Sequence, residues 1–130
     1  MISETDDPGV QRHIELMKQF APGVEPSSMT EFGMTVAEYT VQALKNAGQD
    51  LTRESVVDGA EQIRDYCCIV CLTPGNLSPT DHRLGQTMWY ERVVNGKWVR
   101  FTDTPPVSYE STPGDVIACK NAGEPVYKDQ

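Results

Sequence analysis

Three of the four cysteines in this chain fall within five consecutive positions. They are Cys67, Cys68 and Cys71, and the fourth is Cys119. Two thiolates in a C-x-x-C arrangement can bind a metal or form a redox disulfide when they sit on a turn. In an extended strand, however, positions three apart point to opposite faces, and a structural zinc site needs a second ligand pair. We therefore expect the cysteines to act as small buried hydrophobes, with no metal or cofactor bound.

A disulfide is a second possibility for these cysteines. A bond from Cys119 to Cys67, Cys68 or Cys71 would pin the end of the chain and would suit an oxidising compartment. The cysteine count alone does not choose among these pairings or fix the compartment. A redox or metal protein also stays open, and it would require free thiols of low pKa or a bound metal.

Two further groups of residues could do chemistry but have simpler explanations. Asp81 beside His82 could orient a general base, although adjacent side chains rarely face each other and no nucleophile motif accompanies them. Trp89, Tyr90 and Trp98 could stack on bases or sugars, but cross-strand packing explains aromatics on a hairpin equally well. We expect a solvated loop at the first group and a packed hairpin at the second.

Three amphipathic helices are predicted in the first half of the chain. Asp7 caps a first helix from about Pro8 to Phe20, in which His13 is expected to be a partly buried structural residue. A second periodic run extends from Gly33 to Ala47 and is closed by Gly48. Thr52 caps a third helix, whose expected buried face comprises Val56, Val57, Ala60 and Ile63.

The second half of the chain has the pattern of strands. The apolar run Cys67–Leu72, bounded by Pro74 and Gly75, predicts a buried strand. Asn95-Gly96 between Met88–Val94 and Lys97–Phe101 predicts a β-hairpin. Residues 103–130, rich in proline and glycine with few clustered apolar residues, predict an irregular tail.

Several of these segments occur in an order that is typical of one protein family. The segments are Asp6–Val10, Phe32–Ala37, Ala43–Gly48, Asp50–Val57, Ser78–Arg83 and Tyr90–Val99. Together they resemble the late region of Leu/Ile/Val-type solute-binding proteins, the type I periplasmic receptors of ABC importers. The resemblance covers roughly Asp6 to Phe101, and it rests on the ordered set rather than on any single motif.

The resemblance implies an α/β fold and only part of the family architecture. The family has two α/β lobes joined by a hinge, and ligand is trapped as the lobes close. Residues 1–102 would be the C-terminal portion of such a periplasmic-binding-protein-like domain, followed by the tail 103–130. Three helices, a buried strand and a C-terminal hairpin would form a fragment of a three-layer αβα lobe. We expect the chain to be a truncated segment in which most of both lobes is missing.

The resemblance also implies a ligand-binding position near the start of the second helix. The family segment matching Thr30–Met34 lies at the lobe edge and can place an aromatic side chain over the ligand. Phe32, with Met34 beside it, is the candidate, although tyrosines are common at these positions in the family. A ring offers apolar contact area, and a helix N-terminus offers free N–H groups to an anion. The alternative is that Phe32 packs as a staple against the helix.

These inferences predict a binding protein and not an enzyme. The expected ligands are amino acids or small carboxylates, and the expected partner is an ABC transporter permease. The location would be periplasmic or extracytoplasmic; the polar start is unlike a signal peptide, so a targeting segment would lie upstream of Met1. With 19 acidic and 11 basic residues among 130, the net charge of -8 disfavours nucleic-acid partners.

A stand-alone α/β interaction or oligomerisation module is the alternative. Helices that normally pack on a larger sheet would otherwise expose apolar faces, and such a chain should form homodimers. The two hypotheses differ in whether a small solute stabilises the protein.

Overall fold

The chain combines three helices with short antiparallel strands. The computed structural model describes residues 2, 5–71, 73–85, 87–88, 90–100, 107–108 and 119. The elements in chain order are α1 (Pro8–Phe20), α2 (Ser28–Ala47), α3 (Arg53–Ala60), β1 (Thr87–Met88), β2 (Glu91–Val94), β3 (Lys97–Arg100) and β4 (Val107–Ser108). This is the mixed α and β composition that the sequence predicts.

The first helix has the predicted bounds and the predicted cap. The Asp7 carboxylate accepts hydrogen bonds from the backbone N–H groups of Gly9, at 2.7 Å, and Val10, at 3.1 Å. Proline at the first helical position needs no such partner, because it has no N–H to satisfy. α1 therefore begins where local capping chemistry dictates.

The second helix begins five residues before the predicted run. Ser27 and Thr30 form a capping box, in which Thr30 N–H donates to Ser27 Oγ at 3.3 Å and Ser27 N–H donates to Thr30 Oγ1 at 2.8 Å. The cap lies upstream of the first small residue of the periodic stripe, so hydrophobic periodicity alone placed the start too late. The helix ends before Gly48, as predicted, at a φ of 80°.

The third helix is shorter than its predicted buried face. Thr52 caps it as expected, but it ends at Ala60, so Ile63 is buried from the loop that follows. Val57 is 49% exposed, and its predicted burial is wrong. The close contact with α2 is made by Gly59 instead, since a Cβ there would collide with backbone atoms of Ala43 and Ala47.

The predicted strand Cys67–Leu72 is wrong over its described residues, because the chain turns there. Cys71 N–H donates to Cys68 O at 3.2 Å, and the two Cα atoms lie 4.9 Å apart. In a strand, residues three apart would be separated by about 10 Å. Burial of the segment is confirmed at Cys68 and Ile69. The short apolar run therefore predicts correctly that this segment is buried, but it does not predict that the backbone turns instead of forming an extended strand.

A hydrophobic cluster lies between α2 and the non-helical chain that follows α3. Its members are buried side chains from these two segments: Tyr39, Ala43, Ile63, Tyr66, Cys68 and Leu77. Tyr66 and Gly75 bridge the base of the turn through two backbone hydrogen bonds, of 3.2 and 2.9 Å. Most of this cluster is therefore non-helical chain that lies against one face of α2.

The hairpin is confirmed, with narrower bounds than predicted. β2 and β3 pair antiparallel, with Val94 opposite Lys97. Asn95 and Gly96 have φ values of 51° and 76°, which is the left-handed pair that a two-residue hairpin turn requires. Met88 belongs to β1, which pairs with β4, and Phe101 lies outside the described residues.

The predicted tail 103–130 is described at β4 and at Cys119 only. β4 gives this stretch one short strand, antiparallel to β1. In the part of the chain that the structure describes, no helix is long and apolar enough to cross a bilayer.

Candidate functional site

Phe32 lies in the second turn of α2, and most of its ring faces solvent. The side chain is 65% exposed, so it does not pack as a staple. Met29 and Val36 are also exposed, and their spacing of three and four residues from Phe32 places all three on one side of the helix. We call Met29, Phe32 and Val36 the outer face of α2.

Met34 points away from this face. Residues two apart on a helix differ in direction by about 200°. Met34 is half-buried, with its Sδ atom 3.5 Å from Nδ1 of His13 on α1. The two predicted ligand-binding residues are thus not brought together, and ligand binding by either stays a prediction.

His13 joins α1 to the start of α2 and is fully buried, more so than predicted. Its Nε2 lies 2.9 Å from Thr30 Oγ1. The Thr30 hydroxyl also lies 2.8 Å from Ser27 O, and donation of its proton to that carbonyl would make His13 Nε2 the donor in the bond between His13 and Thr30. Burial lowers the pKa of His13, which favours the neutral ring. The buried side chain of His13 therefore connects α1 to the N-cap of α2 through its contact with Thr30.

All four cysteines are in disulfides. Cys67 is bonded to Cys119, which is one of the three pairings that the sequence left open. Cys68 is bonded to Cys71, and this corrects the expectation that their side chains diverge. The correction follows from the turn, which brings together side chains that a strand would separate. We call residues 68–71 the cysteine loop.

Three side chains of α2 contact the cysteine loop. The Thr35 hydroxyl lies 3.5 Å from Cys68 Sγ, and the Tyr39 hydroxyl lies 3.6 Å from Cys71 Sγ. Between them, Glu38 Oε2 accepts the N–H of Ile69 at 3.0 Å. Three polar side chains at helical spacing on one side of α2 thus contact the small ring that the disulfide closes.

Burial shifts the acidity of two of these groups. It raises the pKa of Glu38, although the hydrogen bond from Ile69 partly opposes the shift. Burial raises the pKa of Tyr39 to about 12, so the phenol stays protonated and donates to Tyr66 O at 3.0 Å. The ring of Tyr39 also packs against Tyr66, with centroids 5.0 Å apart. The hydroxyl proton of Tyr39 is thereby committed to a backbone carbonyl.

Two glycines allow the cysteine loop to sit this closely. A Cβ at Gly9 would collide with the carbonyl oxygen of Ile69, so α1 also touches the loop. A Cβ at Gly75 would collide with the Tyr39 hydroxyl. The loop therefore lies against α1 and α2, and the chain that returns through Gly75 packs on Tyr39 of α2.

Asp81 and His82 do not form a pair. The Asp81 carboxylate binds the Arg83 guanidinium at 2.9 and 2.7 Å, whereas His82 Nε2 contacts Glu61 Oε1 at 2.9 Å. The His82 side chain is 61% exposed. Adjacent residues here face different partners, as expected for a surface loop.

The hairpin aromatics are more exposed than the packing hypothesis predicts. Trp98 stands opposite Val93 in the ladder, yet it is 58% exposed, and Tyr90 is also exposed. Trp89 lies outside the described residues. The described aromatic side chains of the hairpin are therefore more than half exposed to solvent.

The polar cluster around the cysteine loop was not predicted from the sequence. Thr35, Glu38 and Tyr39 are spaced by three and four residues, which places them on one side of a helix. That spacing, read together with a C-x-x-C segment on a turn, would have indicated the site. The strand prediction hid it, because it separated Cys68 from Cys71.

The sequence matches no protein-family model, and its comparison with curated proteins and with solved structures gives no match. Among the described residues, no group of three or more histidine, cysteine or acidic side chains is placed to hold a metal.

Proposed function

We propose that the chain is the late segment of an extracytoplasmic solute-binding protein that serves an ABC importer for amino acids or related small carboxylates. Its helices would form one layer of an αβα lobe of the periplasmic-binding-protein type. Its action would be solute capture by lobe closure and delivery to a membrane permease, without catalysis. The ordered resemblance between Asp6 and Phe101 supports this assignment.

The observation that carries the proposal is the exposed ring of Phe32. It lies near the N-terminus of α2, about two turns before Tyr39 and about three before Ala43, the residues through which this helix packs in the core cluster. A rigid aromatic side chain near the N-terminus of a helix suits a ligand that has an apolar body and a carboxylate. The outer face of α2 would then contribute to a cleft.

The disulfides support the proposed compartment. Such bonds persist in the periplasm and outside the cell, whereas cytosolic thiols are usually kept reduced. Two disulfides that involve every cysteine of the chain fit a protein that folds in an oxidising environment.

The oligomerisation module is the second candidate, and the hairpin favours it. Val93 and Trp98 form an exposed apolar cross-strand pair on a two-stranded ribbon, which is marginally stable when isolated in water. A second copy covering this pair and the outer face of α2 would bury both apolar surfaces.

A thermal-shift screen with amino acids and small carboxylates tests the proposal. The chain should be compared with a version extended upstream to a full two-lobe receptor. A ligand at 100 times its Kd should stabilise the competent form by about 2.7 kcal/mol. The expected result is a shift in the extended protein that Phe32→Ala reduces.

Phe20→Ala is the matched control for this screen. Phe20 is a phenylalanine of similar exposure, at 73%, but it lies at the C-terminal end of α1. An equal loss of ligand response in both variants would argue against a specific role for Phe32. If no solute shifts either protein, and sedimentation shows a dimer of the short chain, the oligomerisation module replaces solute capture.

A further inference from the structure

The two hydroxyl groups beside the cysteine loop direct their protons away from the cysteine sulfurs. Thr35 donates its proton to Glu31 O at 3.1 Å, and Tyr39 donates its proton to Tyr66 O at 3.0 Å. Each oxygen nevertheless lies within 3.6 Å of a cysteine sulfur. With their protons directed to carbonyls, these oxygens present lone pairs to Cys68 and Cys71.

A disulfide makes no use of those lone pairs. Neither sulfur of a disulfide carries a proton, whereas a thiol is a weak S–H donor. If the bond between Cys68 and Cys71 were reduced, each new thiol would find an acceptor oxygen already in position. The surroundings of the loop therefore suit the dithiol as well as the disulfide.

We propose that Cys68 and Cys71 form a reversible dithiol/disulfide site, which a dithiol reductant opens while the rest of the fold persists. The backbone contacts of the loop do not depend on the bond. Ile69 N–H still has Glu38 as its acceptor, and Cys71 N–H still has Cys68 O. This role goes beyond solute binding and does not rest on it.

Burial identifies the sulfur that is attacked. Cys68 is fully buried, whereas Cys71 is only partly covered. A reductant thiolate therefore bonds to Cys71 Sγ, and the electron pair of the broken bond goes to Cys68 Sγ, which takes up a proton. The second thiol of the reductant then displaces Cys71, which is protonated in turn. The protein gains two electrons and two protons, and the reductant becomes a disulfide.

The disulfide between Cys67 and Cys119 closes a much longer segment of chain than the one between Cys68 and Cys71. The bond between Cys67 and Cys119 joins residues 52 positions apart, whereas Cys68 and Cys71 are three apart. Stabilisation by a disulfide grows with the length of chain it closes, so opening the short ring releases little chain entropy. The two bonds should therefore respond separately to reductant.

Graded reduction with dithiothreitol tests this directly. Samples of the full chain are quenched in acid, alkylated in denaturant and mapped by mass spectrometry, with far-UV circular dichroism recorded in parallel. We expect Cys68 and Cys71 to be alkylated as a pair while Cys67 and Cys119 stay bonded and helix content is unchanged. Opening of both bonds together, or loss of helix as the short ring opens, would overturn the proposal.

A matched pair of variants tests the role of the hydroxyls. Thr35→Val removes the acceptor for Cys68, so it should raise the dithiothreitol concentration at half-reduction by about twofold to fivefold. Thr40→Val is the control, because Thr40 on the same helix also donates to a carbonyl four residues earlier, at 2.8 Å, but is exposed. A shift in the opposite direction, or an equal shift in both variants, contradicts the assignment.

Single-cysteine replacements test the direction of attack. In Cys68→Ser, the remaining thiol of Cys71 should react with iodoacetamide in the native protein. In Cys71→Ser, the thiol of Cys68 should react only after unfolding. Equal native reactivity in the two variants would overturn the choice of Cys71 as the attacked sulfur.

Discussion

The cysteine loop and the β2–β3 hairpin are both short turns of chain, but they are held in different ways. The loop lies against α1 and α2, and Glu38 of α2 accepts a hydrogen bond from the backbone of the loop. The described residues of the hairpin instead pair in their own ladder and turn through the left-handed Asn95-Gly96, and most of their side chains are exposed.

The two regions differ in how far along the chain their stabilising contacts reach. A hairpin specified by its turn residues can be recognised from the local sequence. A loop specified by a disulfide and by a helix some 30 residues earlier cannot, since neither contact is visible in the loop's own pattern. Variants at matched positions in the two regions can separate local from tertiary stabilisation.

The largest expected effect is at Tyr39. Tyr39→Ala should lower the free energy of unfolding by about 3 to 5 kcal/mol, because it removes a buried ring at the centre of the core cluster. Tyr90→Ala, next to the hairpin, should cost less than about 1 kcal/mol because Tyr90 is exposed. Urea unfolding followed by circular dichroism measures both. Similar losses in the two variants would mean that the hairpin is packed as firmly as the loop.

A smaller effect is expected where the glycines allow close approach. Gly75→Ala should cost about 1 to 3 kcal/mol, because the new methyl group meets the Tyr39 hydroxyl. Gly85→Ala is the control, since a Cβ there has open space. The same urea experiment applies. A Gly75→Ala protein as stable as the parent would show that the loop can move away from α2.

The smallest expected effect is a pH dependence from His13. Burial lowers its pKa below the ordinary value of 6.5, so the unfolded chain takes up the proton first as pH falls. The contribution of His13 to the free energy of unfolding is therefore fully present above about pH 6.5. It is lost as the pH falls from there to the lower pKa of His13 in the folded protein. Urea unfolding between pH 7.5 and pH 4.5 should show this decline.

His13→Gln isolates that contribution. The variant should lose the decline, whereas His82→Gln should keep it, because His82 is exposed in a surface loop. Glu38 contributes in the opposite direction, since burial raises its pKa and protonation then favours the folded state. Only the difference between parent and variant therefore reports on His13. An unchanged decline in His13→Gln would assign it to other groups.

Local chemistry made the helices and the hairpin predictable. Asp7 and Thr52 are side-chain caps, and Asn95-Gly96 is a turn signal that acts within two residues. The start of α2 was missed because its capping box, Ser27 with Thr30, precedes the apolar stripe. Where the determining contact lies within one turn of chain, sequence patterns located it.

The candidate sites were less predictable, because their contacts join distant segments. The sequence pattern predicts a strand at the C-x-x-C pair, and the hydroxyls of Thr35 and Tyr39 come from a helix about 30 residues earlier. The resemblance predicts Phe32 and Met34 as neighbours at a ligand site, whereas in the structure Met34 points toward His13. Hydrophobic pattern indicated burial at Cys68 but gave no information about the direction of the chain.

The bond between Cys67 and Cys119 also determines the covalent topology of the protein. It closes a ring that contains the cysteine loop, both short sheets and their connections. On the chain-entropy view, a ring of this size is worth about 4 kcal/mol of stability. A single proteolytic cut anywhere between these two cysteines would leave one covalently connected molecule, which would separate into two pieces only on reduction.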